Sequence, residues 1–337
     1  MKRNILVLVM LAISMVGLTA CQTTNDQTVQ GSETVLNEET QEGDETPAEM
    51  PVTGNALDSA IQDDEGNTDE EADSLTMREF SDDIKRAESV CPYDGGILIS
   101  NFGDFSGGYV LYRKNEDTQM FIAPGKGQSR PTGMAVGNGM LFVCDGDAVK
   151  VYELADPGNG YREVHIDGSG HLFNDVAVNG NELYISVTDA DAIYRMDISS
   201  YEKISEDSPT EWARVPGPNG ITIGNNALYI ASISKDFSAV TDDALIYRIP
   251  NMSDPEIEVF LDVPGLYDGV ALSDDGEVLY YSDWNTESVG AIDLVSGEVT
   301  SVYQEKGIGP ADIAQSGGYL YVPDLQGSRI LEFAVGK

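Results

Sequence analysis

Short apolar runs, separated by Gly, Asn, Asp and Pro, recur along this chain at a near-constant interval. Phe173-Asn174-Asp175-Val176-Ala177-Val178 leads, after a polar turn, into Leu183-Tyr184-Ile185. The same grammar returns as Pro131-Thr132-Gly133-Met134-Ala135-Val136 with Leu141-Phe142-Val143, and as Pro218-Asn219-Gly220-Ile221-Thr222-Ile223 with Leu228-Tyr229-Ile230. Tyr267-Asp268-Gly269-Val270-Ala271-Leu272 precedes Leu279-Tyr280-Tyr281, and Pro310-Ala311-Asp312-Ile313-Ala314 precedes Leu320-Tyr321-Val322. Ala87-Glu88-Ser89-Val90-Cys91 before Ile97-Leu98-Ile99 is a less regular sixth copy in the same register. Runs this short and apolar on both faces suit strands sandwiched between other layers.

Each copy extends to four strands. In the copy headed by Phe173 these are Val176 to Val178, Leu183 to Val187, Ala192 to Met196 and a polar outer strand at Glu211 to Val215. The third strand recurs as Tyr109 to Arg113, Val149 to Leu154, Ala244 to Ile249, Gly290 to Leu294 and Arg329 to Phe333. A repeat of roughly 40 to 50 residues holding four short strands predicts a β-propeller: an all-β fold of six blades, four strands per blade, over residues 76–337. The last copy stops at its third strand, while Met77-Arg78-Glu79-Phe80-Ser81 precedes the first copy with no blade of its own. Phe80 lies eight residues before Glu88, as Phe260 lies eight before Asp268. The N-terminal strand is therefore expected to complete the last blade and remove an unpaired edge.

The second residue of each copy carries the chemistry. In chain order it reads Glu88, Thr132, Asn174, Asn219, Asp268 and Ala311, spaced by 44, 42, 45, 49 and 43 residues. Equivalent positions of successive blades converge around the central channel, so four oxygen-bearing side chains should meet at its mouth. A hard cation such as calcium takes six to eight oxygen ligands from carboxylates, amide carbonyls and water. Two carboxylates and two amides balance its charge and leave positions open. Zinc does not suit the set, because nitrogen and sulfur ligands are missing and both histidines, His165 and His171, lie outside the pattern. Asn-Gly and Asp-Gly also favour tight turns, but Thr132 and Ala311 occupy the same place, so the turn does not demand Asn or Asp. With the hairpin turn at offsets six and seven, the residues at offset thirteen pair beside the ring. These are Asn101, Asp145, Val187, Ser232 and Asp324, with Asp283 displaced by the Asp274-Asp275-Gly276 turn, and they are expected to line the mouth a second time. The long Ile233 to Asp243 loop is the candidate lid.

The N-terminus changes where this domain is expected to work. Lys2-Arg3, an apolar run from Ile5 to Val16 and Leu18-Thr19-Ala20-Cys21 give residues 1–21 the layout of a signal peptide. Its last four residues resemble a bacterial lipobox, with Cys21 as the lipidated first residue of the mature chain. Residues 22–75 hold sixteen Asp or Glu, no Lys or Arg and no aromatic residue, a composition that cannot offset chain entropy by burial. A flexible tether of this length reaches roughly 40 Å. The protein is thus expected at the cell envelope, membrane-anchored and facing the periplasm or the extracellular space. The formal charge is −39 overall, and without leader and tether 42 acidic residues still face 17 basic ones. Such a field disfavours nucleic acid and concentrates cations, and the expected partners are a small-molecule substrate and, through lipid, a membrane, with the chain acting as a monomer. Cys91 and Cys144 occupy slots that elsewhere hold Ala, Ser or Thr, and are expected as free buried thiols.

The ordered series Glu88, Asn174, Asn219 and Asp268, carried by Phe173-Asn174-Asp175, Pro218-Asn219-Gly220 and Tyr267-Asp268-Gly269, resembles the senescence marker protein, gluconolactonase and luciferin-regenerating enzyme family of six-bladed propellers. The resemblance spans about residues 78–337, and paraoxonases and squid-type phosphotriesterases look similar at the same four positions. It implies calcium held by Glu88, Asn174, Asn219 and Asp268, and hydrolysis of lactones or related esters. Asp268 would be both ligand and base, with Asp283 or His171 as alternative bases. The chain departs from the sugar-lactone hydrolases in having Leu172 where those commonly place a basic residue, which argues against a gluconolactone-like substrate. No Gly-x-Ser-x-Gly elbow is present to support a serine nucleophile. The competing reading is a binding module that uses calcium only to shape its mouth.

Overall fold

The computed structural model describes residues 76–104, 107–166, 170–204 and 208–336. The leader, Cys21 and the acidic stretch 22–75 lie outside the described residues. Strand β1 spans Met77–Phe80. The first blade follows with β2 (Ala87–Tyr93), β3 (Gly96–Asn101), β4 (Tyr109–Lys114) and β5 (Asp117–Ile122). The second holds β6 (Pro131–Gly137), β7 (Met140–Asp145), β8 (Val149–Glu153) and β9 (Arg162–Val164), and the third β10 (Phe173–Asn179), β11 (Glu182–Val187), β12 (Ala192–Asp197) and β13 (Thr210–Arg214). The fourth has β14 (Pro218–Gly224), β15 (Ala227–Ser232), β16 (Ile246–Ile249) and β17 (Glu258–Leu261). The fifth has β18 (Tyr267–Leu272), β19 (Val278–Asp283), β20 (Ser288–Asp293) and β21 (Val299–Gln304), and the sixth β22 (Ala314–Ser316), β23 (Tyr319–Asp324) and β24 (Arg329–Ala334). Six antiparallel four-stranded sheets result, so the chain is a six-bladed β-propeller. Among the described residues no helix is long and apolar enough to cross a membrane.

In the sixth sheet the outermost strand is β1, paired with β24 from Met77↔Phe333 to Phe80↔Ile330. Arg329 on β24 reaches Glu79 of β1 at 2.7 Å, Glu305 of the fifth blade at 2.7 Å and the buried Asp324 at 2.9 Å.

The core is divided among the blade interfaces because the inner strands are apolar on both faces. Phe142, Val151, Leu183 and Ile185 pack the second blade on the third. Tyr184, Ile193, Leu228 and Ile230 pack the third on the fourth, and Leu320, Leu331 and Phe333 join Tyr280 and Val289 across the fifth and sixth. The inner hairpins turn where the repeat places them. Asn138 (φ 51) with Gly139 (φ 76), and Asn225 (φ 53) with Asn226 (φ 59), take left-handed backbone, the conformation a two-residue hairpin needs and the one Asn and Gly tolerate.

One feature of every inner hairpin but the last is a bulge. Register slips between Ala87 and Val90, Pro131 and Met134, Phe173 and Val176, Pro218 and Ile221, and Tyr267 and Val270. A bulge leaves backbone groups outside the ladder, and here serines collect them: Ser89, Asp175 and Gly269 N–H donate to Ser100, Ser186 and Ser282 Oγ at 2.9, 2.9 and 2.8 Å.

Candidate functional site

The bulges fall across the second residue of the first five repeats. Glu88, Thr132, Asn174, Asn219 and Asp268 line one cavity of about 40 Å³ at the end of the channel where the inner strands begin. The four oxygen-bearing positions expected to meet are therefore brought together, from four different blades. They are buried, with 6%, 9%, 2% and 6% of their surfaces exposed for Glu88, Asn174, Asn219 and Asp268. Thr132 differs, since its hydroxyl donates to the Asn174 carbonyl at 2.7 Å.

Hydrogen bonding at this ring is incomplete. Asn219 Nδ2 donates to the Tyr267 carbonyl at 3.1 Å, which leaves Oδ1 buried without a protein partner, and Glu88 Oε2 is buried without one as well. Buried polar atoms are almost always satisfied, and those that are not call for an explanation such as an ion. Asp268 Oδ2 accepts from the Trp284 indole N–H at 2.6 Å. Burial pushes the Asp268 carboxyl up to about 6 against the pull of Trp284 and Asn219. Burial raises Glu88 well above the usual range, and the neighbouring charges of Asp268, Asp312 and Asp175 raise it further, while Arg130 opposes the shift. Burial penalises the charged form of both carboxyls, a penalty that a nearby positive charge would offset. Among the described residues no three His, Cys, Asp or Glu side chains are grouped to hold a metal; the present donor set relies instead on two carboxylates and two amides.

A second pair of buried acids lies one residue further along the strands. Asp175 accepts the N–H of Val176 and of Ile221, each at 2.7 Å, and so ties the third blade to the fourth. Asp312 accepts from Ser89 Oγ at 2.5 Å, tying the sixth to the first. Burial lifts Asp175 to about 7 and Asp312 well above its usual range. The strands come so close here that a Cβ on Gly133 would sit 2.0 Å from Asp175 Oδ1, so only glycine fits.

The residues at offset thirteen do something other than line the mouth. Asp145 accepts the N–H of Ser129 and Arg130 at 2.7 and 2.6 Å, and Asp324 those of Gly309 and Gly327 at 2.9 Å. Asp283 accepts the N–H of Leu266 and Asn285 at 3.0 and 2.9 Å and the Thr286 hydroxyl at 2.7 Å. These carboxylates brace the incoming loops, and Asp283, the alternative base, is tied to loop groups and is not among the side chains that line the cavity. His171 also stands off the cavity, with Nδ1 3.3 Å from Asp189 Oδ2; it is the adjacent Leu172 that lines the cavity. The backbone rather than the channel claims these polar groups, which a repeat alignment cannot reveal.

What lines the cavity above the oxygens is apolar. Phe102, Ile233, Trp284 and Leu325 stand one position past the bracing residues and form one buried cluster, with Phe237 of the long loop packed on it. The offset-fourteen row of the repeat, Phe102, Gly146, Thr188, Ile233, Leu325 and the displaced Trp284, carries that signal in the sequence. Cys91 and Cys144 are free and buried, and burial holds the Cys91 thiol up near 12.

An all-β ring with an oxygen-floored, apolar-walled channel mouth defines the structural class as a six-bladed propeller with a central site. No protein-family model and no curated protein matches the chain. Solved structures do share its fold. A gluconolactonase from Xanthomonas campestris aligns with a TM-score of 0.61 at 16% identity, covering 77% of this chain and 90% of that one. A virginiamycin B lyase from Staphylococcus aureus, a catalytically inactive variant with quinupristin, aligns at 0.52 and 18% identity over 77% and 99%. A protein of unknown function from Bacteroides thetaiotaomicron aligns at 0.54 and 16% over 74% and 70%.

Proposed function

We propose that this protein is a calcium-dependent hydrolase of lactones or related esters, acting at the channel mouth and anchored outside the cytoplasm by lipid on Cys21. The observation that carries the reading is the unpaired oxygen at Glu88 Oε2 and Asn219 Oδ1, inside a cavity that four blades floor with oxygen donors. Glu88, Asn174, Asn219 and Asp268 fit a hard cation with positions left for water and substrate. When bound, the ion would supply Lewis-acid polarisation of the substrate carbonyl and stabilise the developing oxyanion.

The chain's own groups supply the rest. Asp268, oriented by the Trp284 indole N–H, takes the proton of the attacking water. Asn174 and Asn219 hold neutral oxygens toward the floor, and Glu88 contributes the second negative charge. The apolar wall excludes bulk water, which strengthens electrostatic interactions at the floor. The gluconolactonase neighbour supports the reaction class only by likeness of fold. The acidic stretch 22–75 would hold the domain off the lipid, and a small-molecule substrate reaches a monomeric propeller there.

The test combines elemental analysis of the purified protein with turnover of a lactone and aryl-ester panel. Bound calcium, and activity abolished by chelator and restored by calcium, is the expected result; a metal-free protein that hydrolyses the panel unchanged by chelator would refute it. A second reading, a ligand-binding module, rests on the same lining, which can hold an ion and a ligand without chemistry. Calcium binding with no turnover across the panel would select it.

A further inference from the structure

The wall of the mouth specifies what kind of acyl or alkyl group can sit beside the oxygen floor, and this inference rests on the hydrolytic reading of the same site. Four of the six blades, the first, fourth, fifth and sixth, contribute a large apolar side chain at the same level: Phe102, Ile233, Trp284 and Leu325. They are nearly fully buried, at 5%, 2%, 3% and 4% exposure. The second and third blades place Gly146 and Thr188 at the equivalent position, and the Thr188 hydroxyl is turned to the Pro218 carbonyl at 2.7 Å. The wall is thus apolar along those four adjacent blades, and Leu172, just ahead of the third blade, adds a further apolar side chain. Its single side-chain N–H, on Trp284, is already given to Asp268.

Phe237 occupies the space in front of this wall. It comes from the Ile233 to Asp243 loop, packs on the cluster and shares the cavity lining. Its backbone has φ 54, with its N–H donating to the Ser234 carbonyl at 2.8 Å. A left-handed conformation is uncommon and unfavourable for a bulky residue, so this closed position is held by the packing of its ring. With Phe237 in place the cavity measures about 40 Å³, room for a few waters, each needing roughly 10–15 Å³ by that measure, and far below the roughly 300 Å³ at which ligand pockets begin. An organic ligand of more than a few atoms needs more room than this, and Phe237, on the long loop and only half-buried, is placed to yield it.

We propose that the site takes a lactone or ester bearing an apolar alkyl or aryl substituent, which replaces Phe237 against Phe102, Ile233, Trp284 and Leu325. A polyol lactone would leave its hydroxyls facing carbon, unpaired and out of water, which is unfavourable. An alkyl chain gains from the same contact in proportion to its length.

The experiment separates binding from turnover. The full calcium-loaded chain is titrated by calorimetry with straight-chain methyl ketones from butanone to decanone, which offer a carbonyl but cannot be hydrolysed. In parallel, γ-lactones of increasing alkyl length and glucono-δ-lactone are tested for turnover. Ketone affinity should rise about three- to fourfold per added methylene until the wall is filled. Leu325→Ala should reduce that increment to less than about twofold, because it removes wall. Phe237→Ala, on the loop and independent of core folding, should tighten the long ketones by roughly fivefold or more, since the competing ring is gone. Glucono-δ-lactone should be on the order of a hundredfold poorer than the long-chain lactones. A flat or absent ketone response, or glucono-δ-lactone as the preferred ligand, overturns the inference. A rising ketone series with no lactone or ester turned over leaves the apolar subsite standing and defeats hydrolysis. Lactone turnover with no chain-length dependence does the reverse.

Discussion

Asp268 and Asp283 lie on paired strands of one blade, β18 and β19, and are 6% and 5% exposed. Their surroundings differ in one respect. Asp283 accepts two backbone N–H groups and a threonine hydroxyl, whereas Asp268 is held by the side chains of Trp284 and Asn219. The contrast extends around the channel. Asn101, Asp145 and Asp324 brace loop backbone as Asp283 does, while Glu88 and Asn219 keep a buried oxygen unpaired. Residue type and depth of burial are the same in both rings. Hydrogen-bond accounting separates the structural ring from the one that is open to a ligand.

Exchanging the two aspartates gives the largest expected effects. Asp268→Ala should lower turnover of the best substrate by about a thousandfold or more, since it removes base and ligand together, and should weaken calcium binding, while costing the metal-free fold less than Asp283→Ala does because it strands only the Trp284 indole N–H and removes a carboxyl that burial disfavours. Asp283→Ala should do the opposite. It strands the Leu266 and Asn285 N–H groups, at a cost of about 2–4 kcal/mol of stability, while the molecules that remain folded bind calcium within about threefold of the parent. Thermal melts in chelator, paired with calcium calorimetry, read both. Equal destabilisation by the two substitutions, or calcium affinity intact in Asp268→Ala, would erase the distinction.

The same contrast predicts how stability follows pH. Without metal, burial holds Glu88, Asp175, Asp268 and Asp312 above the ordinary carboxylate range, Asp175 at about 7 and Asp268 at about 6, and neighbouring negative charge raises Glu88, Asp175 and Asp312 further. A carboxyl raised on folding binds its proton more tightly in the folded state than in the unfolded chain. Its contribution is therefore fully present below the unfolded value near 4, and is lost as pH rises through 6 and 7. The metal-free protein should melt at progressively lower temperature from pH 5 to pH 8, and calcium, by favouring the charged forms of Glu88 and Asp268, should flatten that decline. A chelated protein that is more stable at pH 8 than at pH 5 would contradict this account.

The propeller was legible because its repeat states the same apolar period six times, so that one irregular copy at Ala87 does not obscure the others. The turn residues Asn138-Gly139 and Asn225-Asn226 fixed the hairpin register, and register fixed which second residues face one another. The bulge at those residues was not legible, since its extra residue has no distinctive type; its trace is the serine at offset twelve, Ser100 and Ser186, with Ser282 two places later. Nor could the repeat tell whether a polar side chain at offset thirteen faces the channel or the backbone beside it. Asp145, Asp283 and Asp324 read as mouth acceptors until their partners are seen to be loop N–H groups. His171 misleads for the same reason, being one residue away from the side chain that lines the cavity.

Thr132 offers the smallest and most discriminating test. It stands in the second-residue ring by position, yet it behaves like the bracing ring, because its hydroxyl donates to the Asn174 carbonyl and links the second blade to the third. Thr132→Val keeps the branched shape and removes only that donor. The expected cost is about 1 kcal/mol of stability, the net worth of a neutral hydrogen bond, with calcium affinity unchanged within about twofold. A tenfold loss of calcium affinity would instead mean that the hydroxyl turns to the ion when it binds. Five blades rather than four would then supply oxygen to the floor, and the boundary between the two rings would be set by the ligand rather than by the fold.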